Sequence, residues 1–486
     1  MSDGQHTTSP DLPWYHFAGV AGSGMSALAQ FHVMQGGRAS GSDRAFDRLN
    51  ADSAMRADGG AAGIRRHLLS LGIDLFPQDG SAFSSPRTPD ALVVSTAVEE
   101  SVPDVRAARE RGALILHRSE LLARIVARHR TIAVTGTSGK STVTAMIFEI
   151  LEGAGLQPSV LTGGEIVSLK EQGLLGNARA GRGNLLVIEA DESDGSLVRY
   201  EPWVGVLLNL QRDHKEPEEL AEIFRAFRTR TRGPFVCGEE ANLDPFASAS
   251  VRFGFGAACR IRATAIEPGA EGSRFRVSDA EWPEPGERAE VACALPVPGL
   301  YNIKNALAAM SAALCCGVSL EQASGILRRF RGVARRFQRA GMVRGIEVID
   351  DFAHNPDKIA AALVAARGRG KRILAVFQPH GFGPTRFLRD ALIDSLSRGL
   401  TATDRLYLPE IFYAGGTAVQ DISSREIAEA VAARGVPAMY RRRREDLLGP
   451  LLEEARSGDV LLVMGARDPS LSEFCAEIVR RLETGK

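Results

Sequence analysis

Three clusters of residues in this 486-residue chain carry recognisable chemistry. The sharpest is Thr135-Gly136-Thr137-Ser138-Gly139-Lys140-Ser141-Thr142. A glycine-bearing turn ahead of a helix aims backbone N–H groups at phosphate oxygens, and the helix N-terminus adds positive potential. Lys140 supplies a point charge to the β- and γ-phosphates, and the Ser141 hydroxyl is a ligand for Mg²⁺. Residues Gly136, Thr137, Ser138, Gly139, Lys140, Ser141 and Thr142 are therefore the expected ATP loop. The general ATPase pattern GxxxxGK[ST] wants glycine at position 134, where this chain has Val134, so the loop is a shortened variant.

The second cluster is acidic. Glu189-Ala190-Asp191-Glu192-Ser193-Asp194 places four carboxylates in six residues, which repel one another unless a cation or donors compensate. Downstream, Asn209-Leu210-Gln211-Arg212-Asp213-His214 follows another apolar run. Lys140, Glu189 and His214 thus each lie just past a predicted strand, where open α/β sheets bind ligands. A Mg²⁺ near the ATP phosphates, with Ser141 as one ligand, would compensate the acidic run, so ATP and Mg²⁺ are the expected cofactors. The third cluster is Gly19-Val20-Ala21-Gly22-Ser23-Gly24, which departs from GxGxxG but lets the backbone approach a pyrophosphate in the same way. Asp43 lies 21 residues after Gly22, where an acid meets a ribose hydroxyl. Taken alone, this turn fits an NAD-dependent dehydrogenase as well as any other dinucleotide or UDP binder.

The elements that must position these residues alternate strand and helix. In the first segment, strands at 14–20, 38–41 and 91–95 alternate with helices at 25–35, 105–111 and 119–127, which implies a parallel sheet. In the second, a strand at 131–135 feeds the phosphate loop, a helix covers 141–153, and buried strands follow at 185–189 and 204–209. Residues 250–298 alternate apolar and polar side chains, as antiparallel strands do, before helices at 306–314 and 320–330. In the third, strands at 346–350, 372–377, 405–408 and 460–464 are separated by helices at 358–367, 387–396, 424–434 and 471–482. The expectation is an α/β protein of three domains. Residues 1–128 form a Rossmann-like domain, 129–331 a P-loop ATPase-like domain, and 332–486 a C-terminal α/β domain. About three domains is also what the length implies.

Composition narrows the class. Lys+Arg and Asp+Glu are both 59, so a general nucleic-acid binder with a basic face is not expected. Only 7 of the basic residues are lysines, which makes Lys140 easier to single out. The six cysteines form no CxxC pair and read as thiols of a reducing compartment. Residues 1–13 lack the basic and apolar regions of a signal peptide. The apolar stretch 306–320 is shorter than the ~20 residues of a membrane span. A cytoplasmic protein without membrane or nucleic-acid partners is expected.

Together the motifs resemble the Mur ligase family, over nearly the whole chain. The likeness is greatest to those members that add L-alanine to UDP-N-acetylmuramate, and to related ligases that recycle a murein tripeptide. Gly19–Ser26, Ser42-Asp43 and Val94-Ser95-Thr96-Ala97 resemble the UDP-binding domain, which implies Gly22, Ser23, Gly24, Met25, Ser26, Asp43, Ser95 and Thr96 as contacts of the nucleotide sugar. Pro298-Gly299-Leu300-Tyr301-Asn302-Ile303-Lys304-Asn305-Ala306 resembles the family's PGxHNxxNA segment, which implies Asn302 and Asn305 beside ATP. Arg335-Arg336-Phe337 and Asp350–Pro356 resemble the start of the third domain, which implies Arg336 near ATP and Asp351 and His354 near the reacting amine.

The resemblance implies an ADP-forming ligase that phosphorylates the carboxylate of a UDP-N-acetylmuramoyl substrate and lets an amine displace phosphate, in peptidoglycan synthesis. Lys140, His354 and Asp351 are its implied catalytic residues, and Ser141, Glu189 and His214 its implied Mg²⁺ ligands. It also implies a monomer or weak homodimer. The implied acceptor is L-alanine, with a murein tripeptide, another amine, or a catalytically silent nucleotide-binding protein as alternatives. Departures from the family pattern keep them open. Tyr301 replaces a histidine, and no lysine after Lys215 matches the one many members carbamylate. Phe377–Arg386 has Gly381 and Pro384 where alanine-adding members have arginines, leaving His380 and Arg386 for the amino acid.

Overall fold

A computed structural model describes residues 12–47, 49, 60–192, 195–211, 217–281, 290–413, 419–466, 468 and 470–485. The chain divides into two compact units, Met1–Val333 and Ala334–Lys486.

The first unit contains two sheets. Strands β1 (Trp14–Ala18), β2 (Arg38–Ser42), β3 (Asp74–Phe76), β4 (Ala91–Val94) and β5 (Leu114–His117) form a parallel sheet in the order β3-β2-β1-β4-β5. Every residue of β1 is buried, as a central parallel strand covered on both faces requires. It buries His16, whose ring is accepted because Ser40 Oγ lies 2.9 Å from Nδ1 and Ser42 Oγ 3.3 Å from Nε2.

The second sheet has ten strands. They are β6 (Arg130–Thr135), β7 (Ser159–Leu161), β8 (Ala178–Arg179), β9 (Leu185–Glu189), β10 (Val204–Leu207), β11 (Phe235–Gly238), β12 (Val251–Gly254), β13 (Ile261–Gly269), β14 (Gly272–Asp279) and β15 (Val291–Leu295). Their order is β15-β14-β13-β12-β11-β10-β6-β9-β7-β8. From β6 the chain builds one side of the sheet with β7 to β9, then crosses to the other side with β10. That crossing makes the carboxyl end of β6 a topological switch point. The alternating segment splits in two. β13, β14 and β15 pair antiparallel as expected, whereas β12 runs parallel to both β11 and β13.

The helix Lys140–Gly153 after β6 buries Val143, Met146, Ile147, Phe148, Ile150 and Leu151, and joins one apolar core with helix Leu300–Leu314. A helix apolar on most of its faces is stable only inside such a core.

In the second unit, β16 (Gln338–Val343), β17 (Ile346–Asp351), β18 (Arg372–Gln378), β19 (Arg405–Pro409), β20 (Ala438–Arg441) and β21 (Asp459–Gly465) lie in the order β16-β17-β21-β18-β19-β20. Among the described residues of this sheet, only β16, at the edge, pairs antiparallel. The helix expected at 387–396 spans Phe382–Gly399. It starts earlier because Gly381, at φ 70°, supplies the left-handed N-cap and Pro384 fits the first turn. Among the described residues, no helix is long and apolar enough to cross a membrane.

Candidate functional site

The register of the ten-stranded sheet brings the chemistry-bearing ends together. Val134 of β6 lies beside Glu189 of β9, and Thr135 beside Leu207 of β10. The phosphate loop, the acidic run and Asn209 therefore leave adjacent strands at one edge.

Asn209 holds the loop in shape. Its Oδ1 accepts from Thr137 Oγ1 at 2.8 Å and from Ser138 N at 2.9 Å, and its Nδ2 donates to Ser138 O at 3.0 Å. Gln211 N adds a bond to Thr137 Oγ1 at 3.0 Å. Gly139 takes φ 88°, and a Cβ there would lie 2.6 Å from Asn305 Oδ1. Only glycine satisfies both the backbone angle and this close approach. Asn305 is in turn held by Asn302 Oδ1 at 3.1 Å, and Asn302 by Pro298 O at 2.7 Å. The structure thus brings Asn302 and Asn305 to the loop.

Lys140 Nζ donates to Gly136 O and to Glu192 Oε2, both at 2.7 Å. Burial by itself would lower the lysine pKa, but Glu192, Asp191 and Glu189 outweigh it and hold the ammonium above its usual value. Burial, together with Asp191, raises the Glu192 carboxyl against the pull of Lys140. Glu189 is tightly fixed: Ser141 Oγ donates to Oε1 at 2.9 Å, while Thr162 Oγ1 and Gly163 N donate to Oε2 at 2.8 Å. Thr142 is half-buried on the same helical turn. Among the described residues, no group of three or more His, Cys, Asp or Glu side chains could hold a metal ion. His214, with Asp213 and Lys215, lies outside the described residues, as do Ser193 and Asp194. Ser141 and Glu189 are hard oxygen donors side by side. That fits Mg²⁺, which keeps several waters and takes few protein ligands.

The glycine turn of the first sheet is pinned from β2. Gly19 N and Val20 N donate to Ser42 O, at 2.8 and 3.1 Å. Asp43 accepts from Ala21 N at 2.9 Å and Ala45 N at 2.8 Å, so its carboxylate holds the turn closed. Burial raises its pKa, and these two N–H donors offset part of the rise. Gly22 caps helix Ser23–Met34 without a side-chain acceptor, and Gly24 lies under the Arg118 guanidinium. Met25 and Ser26 are buried in that helix. Ser95 and Thr96 follow β4, beside β1, with Thr96 exposed.

In the second unit, Asp351 ends β17. Its two oxygens accept from Phe337 N and Ala353 N, each at 2.7 Å. Burial pushes its carboxyl up to about 6, against the nearby Arg336. The Arg336 guanidinium lies 4.9 Å from the Phe352 ring centroid. His354 Nδ1 lies 2.8 Å from Phe352 O, a carbonyl that can only accept, so Nδ1 carries a proton and donates it there. The His354 and His380 rings meet edge-on at 5.5 Å. Arg386 is exposed and paired with Asp421, away from this histidine pair in its contacts.

Thr162, Glu192 and Asn209 have contact roles that sequence reasoning did not assign. Asn209 and Glu192 stood in the motifs already noted, but Thr162 carried no local signal.

The sequence matches three family descriptions in chain order: Mur ligase family, catalytic domain, over residues 14–130; Mur ligase middle domain, over 134–313; and Mur ligase, glutamate ligase domain, over 335–467. It is 34% identical over 492 residues to the UDP-N-acetylmuramate–L-alanine ligase of Burkholderia cenocepacia, covering 96% of this chain and 98% of that one. It is 33% identical to the enzyme of that name from Gloeobacter violaceus, covering 96% of each. Among solved structures, the UDP-N-acetylmuramate–alanine ligase of Thermotoga maritima superposes with a TM-score of 0.77 at 25% identity, over 98% of this chain and all of that one. A murein peptide ligase from Psychrobacter arcticus shares the fold, with a TM-score of 0.69 at 22% identity over 97% and 99% of the two chains.

A phosphate loop at the switch point of the middle domain's sheet, with a further α/β domain before it and another after it in the chain, is the architecture of an ATP-dependent ligase. The chain belongs to the Mur ligase family.

Proposed function

We propose the following division of labour for the ligation. The enzyme joins the carboxylate of a UDP-N-acetylmuramoyl substrate to an amino acid, L-alanine, with ATP going to ADP and phosphate in peptidoglycan synthesis. The observation that carries the site assignment is the convergence of Lys140, Ser141 and Glu189 on one strand-loop-helix edge.

A carboxylate does not acylate an amine at neutral pH, because oxide is a poor leaving group. Transfer of the γ-phosphoryl group to the carboxylate makes phosphate the leaving group. The loop amides and Lys140 stabilise charge on the phosphoryl oxygens as they separate. Ser141, Glu189 and His214 are the proposed ligands of Mg²⁺, which when bound supplies further charge neutralisation at the phosphates. Asn302, Asn305 and Arg336 are the further ATP contacts. The turn Gly22–Ser26, with Asp43, Ser95 and Thr96, takes the UDP moiety.

In the C-terminal domain His354, its ring oriented by the Nδ1 bond to the Phe352 carbonyl, is the group assigned to accept a proton from the amine. Asp351, with both oxygens engaged by backbone amides, shapes the segment that presents His354. His380 and Arg386 are assigned to the acceptor's carboxylate. The domains are 1–128 for the nucleotide sugar, 129–331 for ATP and 332–486 for the acceptor. A cytoplasmic monomer or weak homodimer completes the reading.

A second acceptor class, a murein tripeptide, is kept by one observation. Gly381 and Pro384 build the helix start, at the two positions where the alanine-adding members of the family carry arginines that could fork onto a carboxylate. ADP release measured with UDP-N-acetylmuramate and each candidate amine decides. L-Alanine is expected to give the highest kcat/KM. Release with the tripeptide alone would replace it as acceptor, and no release with any amine would overturn the ligase assignment.

A further inference from the structure

Within the first unit, one side chain links the sugar-nucleotide turn to the phosphoryl-transfer edge. Asn177, just before β8 of the ten-stranded sheet, is buried. Its Nδ2 donates to Ser23 O at 2.8 Å and to Ser26 Oγ at 2.9 Å, both on the first turn of the helix after the glycine turn. Its Oδ1 accepts from Gln30 Nε2 at 2.9 Å, one turn further along the same helix. These partners are 147 to 154 residues away in sequence. Gln30 Nε2 is itself anchored on Ser26 O at 3.0 Å, so the orientation of both amides is determined.

The main chain of Asn177 faces the other site. Its carbonyl accepts from Thr162 N at 3.0 Å. The Thr162 hydroxyl donates to Glu189 Oε2, and Ser141 of the phosphate loop donates to Glu189 Oε1. The chain Ser26–Asn177–Thr162–Glu189–Ser141 is therefore continuous, and every link is a hydrogen bond of 3.0 Å or less.

We infer that Asn177 is a positioning residue of the ligation: it sets the nucleotide-sugar turn at a fixed distance from the phosphoryl-transfer edge, and so aligns the substrate carboxylate with the γ-phosphate. The inference rests on the reading of Gly22–Ser26 as the nucleotide-sugar turn. Near-attack alignment is steep in distance, and misplacement by about 1 Å costs on the order of a hundredfold in rate. Asparagine is required in kind, because an aspartate oxygen at Nδ2 would face the Ser23 carbonyl at hydrogen-bond distance with no proton between them.

The test compares Asn177→Ala, Asn177→Asp and Gln30→Met with the parent enzyme, by steady-state ADP release and by a thermal melt of each. Gln30→Met keeps Asn177 but removes the bond that orients its amide, so it carries the test if the Asn177 variants do not fold. The expected result is a split. KM for UDP-N-acetylmuramate rises about tenfold and kcat falls by a similar factor, while KM for ATP stays within twofold. Gln30→Met should follow in the same direction with a smaller effect. A folded variant in which both KM values rise together, or in which neither KM nor kcat moves, overturns the role of Asn177. No turnover of the parent enzyme on UDP-N-acetylmuramate overturns the substrate reading itself, and is distinguishable because the parent is then also inactive.

Discussion

Replacing Lys140 by methionine separates what this lysine does for the fold from what it does for catalysis. The side chain is largely buried, and Nζ bonds both Gly136 O and the buried Glu192 carboxylate. Methionine keeps the apolar stem but strands Glu192. Breaking a buried pair by removing one partner costs about 3–5 kcal/mol. The lower end applies here, since the raised Glu192 pKa lets that carboxyl take a proton rather than stay ionised. At roughly 2 °C per kcal/mol for a unit of this size, the melting midpoint should fall by about 6 °C.

Glu192→Gln in the Lys140→Met background removes the stranded charge and should restore most of the midpoint. Turnover behaves differently. A preorganised charge lost from the phosphoryl-transfer site costs about 10²–10³ in kcat, and no change at Glu192 replaces it. Melts and ADP release on the two single variants and the double variant give the answer. Recovery of turnover together with the midpoint in the double variant would refute the argument, because Lys140 would then be only a structural partner of Glu192.

Other outcomes follow from the same geometry. Gly139→Ala puts a Cβ against Asn305 Oδ1 at φ 88°, and a strain of about 1–2 kcal/mol in the loop should raise KM for ATP roughly tenfold; an unchanged KM would show that the loop adapts. Glu149 is pushed up to about 7 by burial, with Ser168 offsetting part of the rise. Its folded form therefore holds a proton that the unfolded chain loses near 4.5, so stability falls as pH rises from about 4.5 to about 7 and is level above that. Glu149→Gln should stabilise the protein at pH 8, by at most about 3 kcal/mol, and the advantage should vanish near pH 4.5; denaturant midpoints at several pH values measure it. Arg386→Ala removes an exposed pair with Asp421 and should change stability by less than about 1 kcal/mol. Its effect should be a raised KM for the acceptor, and an unchanged one would remove Arg386 from the acceptor site.

Much of this arrangement was legible from local patterns. The strand 131–135, the loop 136–139 and the helix that follows were visible because an apolar run, two glycines and a lysine all lie within a few residues of one another. The short strands β3, β7 and β8 were not, since two or three residues carry no periodicity. The supports of the site were hidden for another reason. Asn209 grips a loop more than 70 residues earlier, Thr162 meets Glu189 27 residues on, and Asn177 reaches back to Ser23 and Ser26. Contacts of that span depend on which strands become neighbours, and the apolar pattern of a parallel strand does not name its partner. Asp43 shows the converse: its spacing from the glycine turn was readable, but its engagement by Ala21 and Ala45 needed the folded backbone.

The central claim is that the substrate carboxylate is phosphorylated before the amine attacks. Synthesising UDP-N-acetylmuramate with both carboxylate oxygens as ¹⁸O, and analysing phosphate and ligated product by mass spectrometry after turnover with L-alanine, tests it directly. One ¹⁸O in each released phosphate and one retained in the amide carbonyl of UDP-N-acetylmuramoyl-L-alanine is the predicted result. Phosphate free of ¹⁸O, with product formed, would contradict it.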